Sequence, residues 1–334
     1  MPRGKIMLKK ILFALVALTL ALACLCACND TTTTKLPDEK KLYTVSFKFN
    51  NGDADYALSV ESGSLVPAPL TPARENYIFN GWKFEGKIWN FSEDRVYENI
   101  AFTAQWIDAS SIFSYSVNDD ATITVTAYNG SLTEIRIPEV ISGLTVTAIA
   151  DNVFKSFNDT DVTLITIPKT VKSVGKSAFE GCGFMPITIL GELSHIGEQA
   201  FDGCTLLTKI SLDENITDIP FRAFADCTSL TELTIPKNVS VISEDAFSGC
   251  SGIKTALLLS TDFSVDDSAF AGCDSLVTVF YMGSEADWND VLSKVNDGGN
   301  GNDNLKNAKV YFYSELEAEG DYWHFNDKNQ PRCW

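Results

Sequence analysis

Six phenylalanines, Phe154, Phe179, Phe201, Phe224, Phe247 and Phe270, follow one another at intervals of 25, 22, 23, 23 and 23 residues. The same neighbours return around each. An aliphatic residue stands five positions earlier (Ile149, Val174, Ile196, Ile219, Ile242, Val265). Three positions later stands a cysteine (Cys182, Cys204, Cys227, Cys250, Cys273), with Phe157 in that place in the first copy. Few folds accept such a period, because a repeat this short cannot bury its apolar side alone and must stack on its copies. Apolar alternation follows the cysteines in Leu207-x-x-Ile210-x-Leu212, Leu230-x-x-Leu233-x-Ile235, Ile253-x-x-Ala256-x-Leu258 and Leu276-x-x-Val279-x-Tyr281. That is the pattern of a strand with one buried face. In the shortest copy Phe184, Ile187 and Ile189 are expected in those places, and in the longest Val162, Ile165 and Ile167. Each repeat is thus expected to be one strand and a short helical turn, in an α/β solenoid of about six repeats of 22–25 residues. Gly181, Gly203, Gly249 and Gly272 would end the turns in a left-handed conformation, which Asp226 bears at some cost in one copy.

A row of five cysteines invites a metal or redox reading. Zinc needs four ligands converging on one point, whereas stacked strands about 4.8 Å apart would string five cysteines over roughly 20 Å. Equivalent residues of a ladder also project their Cβ atoms in parallel, which opposes disulfides between neighbours. The thiols are therefore expected to be buried packing groups, and burial makes them inert. Gly298–Lys306 fits the calcium nonapeptide G-G-x-G-x-D-x-U-x once. Such sites form between consecutive copies, so a Gly/Asn loop is the expectation, and no metal or cofactor is expected. The histidines are two, His195 in an interchangeable turn position and His324 in a packed or capping one. No catalytic constellation rises above the repeat background, so the chain is expected not to be an enzyme.

Strand positions that face outward remain. They form two columns, Thr166, Thr188, Ser211, Thr234, Leu257 and Phe280 in one, and Lys209, Glu232, Thr255 and Thr278 in the other. Stacked repeats commonly bind through such faces. The candidate binding residues are Lys209, Ser211, Glu232, Thr234, Thr255, Leu257, Thr278 and Phe280. At Leu257 and Phe280 two readings stay open, an exposed apolar patch or coverage by residues 281–325.

The start of the chain is of another kind. Arg3, Lys5, Lys9 and Lys10 precede an apolar stretch at 11–23, which has the make-up of an export signal and is short for a membrane span. Leu25-Cys26-Ala27-Cys28 resembles a bacterial lipobox, which implies removal of residues 1–27 and lipidation of Cys28. Residues 28–41 have no apolar periodicity and read as a tether. The formal net charge is −18, with 26 basic against 44 acidic side chains. That charge excludes nucleic acid as a partner, and it leaves attachment to a membrane to the lipid.

Residues 42–107 alternate apolar and polar residues in short runs, with Val45, Phe47 and Phe49 on one strand face and a heavy aromatic core from Phe79 to Trp106. TVSFKFNNG, YIFNGW and AFTAQW resemble the Listeria–Bacteroides repeat, a small β-grasp-like module of bacterial surface proteins. L-x-x-I-x-I-P followed by I-x-x-x-A-F-x-G-C resembles the BspA-type leucine-rich repeat. That resemblance implies a repeat domain over 110–334 with an N-terminal cap at 110–148 and a C-terminal cap at 281–334. Taken with the lipobox, the two resemblances imply a lipid-anchored, non-enzymatic surface protein that adheres to a protein or glycan of a host or neighbouring cell. A structural envelope component without a specific ligand is the alternative.

Overall fold

Alternation in the N-terminal module produces a five-stranded mixed sheet. The computed structural model describes residues 41–295 and 301–334. Strands β1 (Leu42–Lys48), β2 (Tyr56–Glu61), β3 (Tyr77–Phe84), β4 (Lys87–Ile88) and β5 (Ile100–Asp108) lie in the order β2-β1-β5-β3-β4. The central pair β1 and β5 is parallel, with Val45 opposite Ile100 and Phe47 opposite Phe102. Those four side chains are buried with Trp82, whose ring meets Phe47 edge-on at 4.9 Å. Edge-to-face pairs add specific attraction to the area they bury, which a sheet this small needs. No helix crosses it between β1 and β5. Pairing of β3 with β5 slips between Phe79 and Trp82, so Asn80 and Gly81 form a bulge.

The module passes into the repeats without a gap. Asp108 ends β5 and its carboxylate accepts from the Ser110 amide, capping the short helix α1 (Ala109–Ile112). Strand β6 (Phe113–Val117) begins at once and pairs with β7 (Ile123–Tyr128). Asn76 ties the junction: its carbonyl accepts from the Ala109 amide at 2.9 Å and its side chain from the Gly143 amide at 2.8 Å. Ile78 of β3 is buried with Ala109, Phe113 and Ile141 in the core of the repeats.

In the repeats the six phenylalanines are fully buried and stack as one column, their ring centroids 5.1–5.5 Å apart and their planes within 25° of parallel. The expected helical turn is absent: the described residues between α1 and Glu285 contain strands and turns only. Two positions of each turn are left-handed. Asn152, Ser177, Gln199, Arg222, Asp245 and Ser268, two residues before the phenylalanine, have φ of 50–60°. Two residues after it the expected glycines do the same, and Asp226 takes their place at φ 57°. This alternation points every second amide at the next repeat. Phe179 donates to the Ala200 carbonyl, Ser177 to Glu198 and Gly181 to Asp202, at 2.7–2.9 Å. The same three bonds recur down the stack, and they offset the cost of left-handed residues other than glycine.

The strands form a second ladder. β8 (Glu134–Arg136), Leu164–Ile167 and Ile187–Ile189 pair in parallel, and so do Glu232–Ile235, Thr255–Leu258 and Thr278–Tyr281. Between these blocks Leu207–Leu212 holds only a single bridge, from Leu212 to Leu193. The short pairs around the aliphatic positions break at the same level, between His195–Ile196 and Asp218–Ile219. The 22-residue copy lies here, and its missing residue is not where the sequence suggested. Phe184 is 78% exposed and Met185 is buried in its stead. The deletion therefore falls after Met185, within the strand segment, and shifts its register against the next copy.

Beyond Tyr281 the chain makes helices α2 (Glu285–Ser293) and α3 (Asp303–Asn307). It then continues the same sheet through Lys309–Tyr313, Tyr322–Phe325 and Pro331–Cys333. Asn302, fully buried, ends the turn ladder. Its side chain accepts from the Phe270 amide and donates to the Asp266 carbonyl, both at 2.9 Å, and so serves in place of a next alanine carbonyl.

Candidate binding face

The outward columns follow from strand pairing. Thr234, Leu257, Phe280 and Tyr311 stand side by side in register, and beside them Glu232, Thr255, Thr278 and Lys309. Glu232 and Thr234 are exposed, whereas Thr255, Leu257, Thr278 and Phe280 are half-buried. Lys209 is exposed and Ser211 half-buried, but both lie in the interrupted stretch and no ladder joins them to the others. Thr166, in register with Thr188, is buried.

The C-terminal segment leaves Leu257 and Phe280 partly accessible. Phe280 stacks on Tyr311 at 5.6 Å and receives the edge of Trp323 at 5.6 Å, because that segment extends the sheet. The indole of Trp323 donates to the Tyr281 carbonyl at 2.9 Å, which fixes the ring in a fully buried place. Lys309 stands over Tyr311 at 4.8 Å and pairs with Asp321 at 2.8 Å. Tyr311 and Lys309 were not among the candidates. The alternation of Lys309-Val310-Tyr311-Phe312-Tyr313 is the signal that would have added them.

The cysteines sit behind this face as free thiols, all five buried. Each donates to the phenylalanine carbonyl of the preceding repeat at 3.0–3.3 Å. Burial pushes the Cys182 thiol up to about 12 and raises Cys204 and Cys273 as well. At neutral pH these groups are neutral and poorly nucleophilic. His195 is exposed on the two-residue strand His195–Ile196, and His324 packs flat against Trp334 at 3.8 Å. Of the calcium-like stretch, residues 298–300 lie outside the described residues, and the Asn302 side chain is engaged with Phe270 and Asp266. Cys28, with the leader and the tether as far as residue 40, also lies outside the described residues.

Comparison with family models matches residues 147–277 to the BspA type leucine-rich repeat region, in six copies. This segment is similar to the BspA type leucine-rich repeat region. Residues 43–105 match the Listeria-Bacteroides repeat domain. Both families consist of binding or structural repeats. A leucine-rich repeat protein of T. pallidum has a solved structure that is 25% identical, with 55% of this chain and 94% of that one covered and a TM-score of 0.47. A leucine-rich cell surface protein of Faecalibacterium prausnitzii is 27% identical over 51% of this chain and 52% of its own, with a TM-score of 0.41. A provisionally named membrane protein of Evansella cellulosilytica is 36% identical over 81 residues, 23% of this chain. That match, and a second to a provisionally named Gly-rich membrane protein of the same organism, spans only 12% of the relative's length. No helix among the described residues is long and apolar enough to cross a membrane.

Proposed function

We propose that this chain is a lipid-anchored recognition protein of a bacterial surface. In this reading residues 1–27 are cleaved, Cys28 carries the lipid and residues 28–41 are the tether. The module at 42–107 stands between the tether and a leucine-rich repeat solenoid at 110–334, capped at 110–148 and 281–334. The partner is a protein or glycan of a host or neighbouring cell. It meets the outward sheet face at Glu232, Thr234, Thr255, Leu257, Thr278 and Phe280, with Lys209 and Ser211 at the margin.

One observation carries this reading. The two columns stay in register over successive strands, and one of them leads from Thr234 through Leu257 to the partly accessible rings of Phe280 and Tyr311. Aromatic side chains are frequent anchors of binding hot spots. Solid-phase binding to matrix proteins, mucin and immobilised glycans tests it with the Leu257→Asp/Phe280→Asp variant. We expect the variant to stay folded and lose about tenfold or more in affinity for whichever surface binds. Equal binding by both proteins would overturn the assignment of the face, and binding to none would favour the structural alternative. Lipidation is tested separately. Cys28→Ala is expected to move the protein from the membrane fraction to the soluble one, and retention would refute the anchor.

A further inference from the structure

We propose that the cleft between the N-terminal module and the first strand segments of the repeats binds a neutral saccharide of about two rings. This site is separate from the sheet face discussed above. The cleft encloses about 610 Å³, within the roughly 300–1,000 Å³ of small-molecule sites, which favour junctions of this kind. One wall is aromatic, from Phe79, Trp82, Trp89 and Phe91. The other is polar, from Ser131, Thr133, Glu134 and Arg136.

Three features make this more than a gap between two bodies. The junction is fastened by Asn76 to Ala109 and Gly143 and by Ile78 in the common core, so the walls are held before any ligand arrives. The bulge at Asn80–Gly81 opens onto the cleft, and it needs glycine: Gly81 has φ +93°, and a Cβ there would meet Ile88 Cγ2 at 2.7 Å. Bulges of this sort re-aim side chains beside functional sites. Finally, the indole Nε1 of Trp89, a residue lining the cleft, is buried without an acceptor in the protein. A buried donor left unpaired costs free energy, and a small turn of the indole that brings Nε1 to the cleft would let a ligand hydroxyl accept from it.

The wall chemistry selects the ligand class. Arg136 Nη2 and Glu134 Oε2 are paired at 2.6 Å, so together they add no net charge and still present donors and acceptors to hydroxyls. The chain's formal charge of −18 further disfavours an anionic ligand. Flat aromatic rings facing polar groups match a sugar ring, which has an apolar C–H face and a rim of hydroxyls.

The test uses the full chain with cellobiose, maltose and N,N′-diacetylchitobiose as probes, read by tryptophan fluorescence and saturation-transfer NMR. At least one is expected to bind saturably. Thr133→Trp and Ser131→Trp, at exposed positions facing the aromatic wall, are each expected to weaken that binding about tenfold. Thermal unfolding verifies that both variants fold. Leu257→Asp/Phe280→Asp should bind the sugar unchanged, so failure here is distinguishable from failure of the sheet-face reading. Absence of saturable binding by all three sugars, or sugar binding that survives both tryptophan variants, would overturn the proposal. So would preferential binding of a proline-rich peptide, the other ligand an aromatic cleft attracts.

Discussion

At the scale of single residues, the cysteines show how far a repeat pattern reaches. That they are packing groups was legible in their spacing, since a line of side chains cannot converge on a metal. Their hydrogen bonds to the preceding phenylalanine carbonyls were not legible, because S–H direction depends on where a neighbouring repeat places its backbone. The consequence is measurable at alkaline pH. Unfolded thiols ionise from a pKa of about 8.5, whereas burial holds Cys182 protonated up to about 12. Below the unfolded value both states keep the proton and the full contribution is present. Above it the unfolded chain releases its proton first, so stability falls as pH rises towards the folded value. The Cys182 thiol is then expected to remove about 1.4 kcal/mol per pH unit in that window. Melting temperatures from pH 7 to 11 should fall more steeply for the wild-type chain than for Cys182→Ala. Parallel curves would show that the Cys182 thiol is not buried as described.

At the scale of elements, alternation marks the strands except at Leu207–Leu212, which holds one bridge, and it does not mark the turns. The glycines after each phenylalanine announced one left-handed position, but the second falls on Asn152, Ser177, Gln199, Arg222, Asp245 and Ser268, residue types with no common signature. With one such position visible, a helical turn is the natural reading; with two, successive amides alternate in direction and the turns become a hydrogen-bonded ladder. The short copy misled in the same way, since Phe184 and Met185 are both apolar and only stacking decides which is covered. The ladder also needs an end. Phe270 would leave its amide unpaired if Asn302 did not accept from it. Asn302→Ala removes both side-chain bonds and leaves a buried donor without a partner. A loss of about 2–3 kcal/mol is expected, since an unmade buried hydrogen bond costs more than an average one is worth. Urea unfolding measures it, and a loss below about 0.5 kcal/mol, the range of ordinary surface substitutions, would refute the capping role.

Over the whole molecule, the order of the two repeat families was legible and their union was not. The contacts that fuse them join Asn76 to Gly143 and set Ile78 in the core of the repeats, residues far apart in sequence. Nor could spacing alone show that both ladders break at one level, beside the short copy, while the phenylalanine column runs on. In a stack whose stability is carried by contacts between neighbouring repeats, that level is the weakest interface. Its effect belongs to local opening: among the described residues, the amides of Thr208–Leu212 donate to no other backbone carbonyl. The equivalent strand Glu232–Ile235 is paired along its length with Thr255–Leu258. Native-state hydrogen exchange should therefore be about a hundredfold faster or more over Thr208–Leu212 than over Glu232–Ile235, because amides that donate to no backbone carbonyl have no ladder bond to break first. The Phe201 amide, donated to Ala223 across the same level, should stay protected. Equal protection in the two strand segments would mean that the ladder is continuous in solution. Fast exchange at Phe201 as well would mean that the phenylalanine column does not hold the two blocks together.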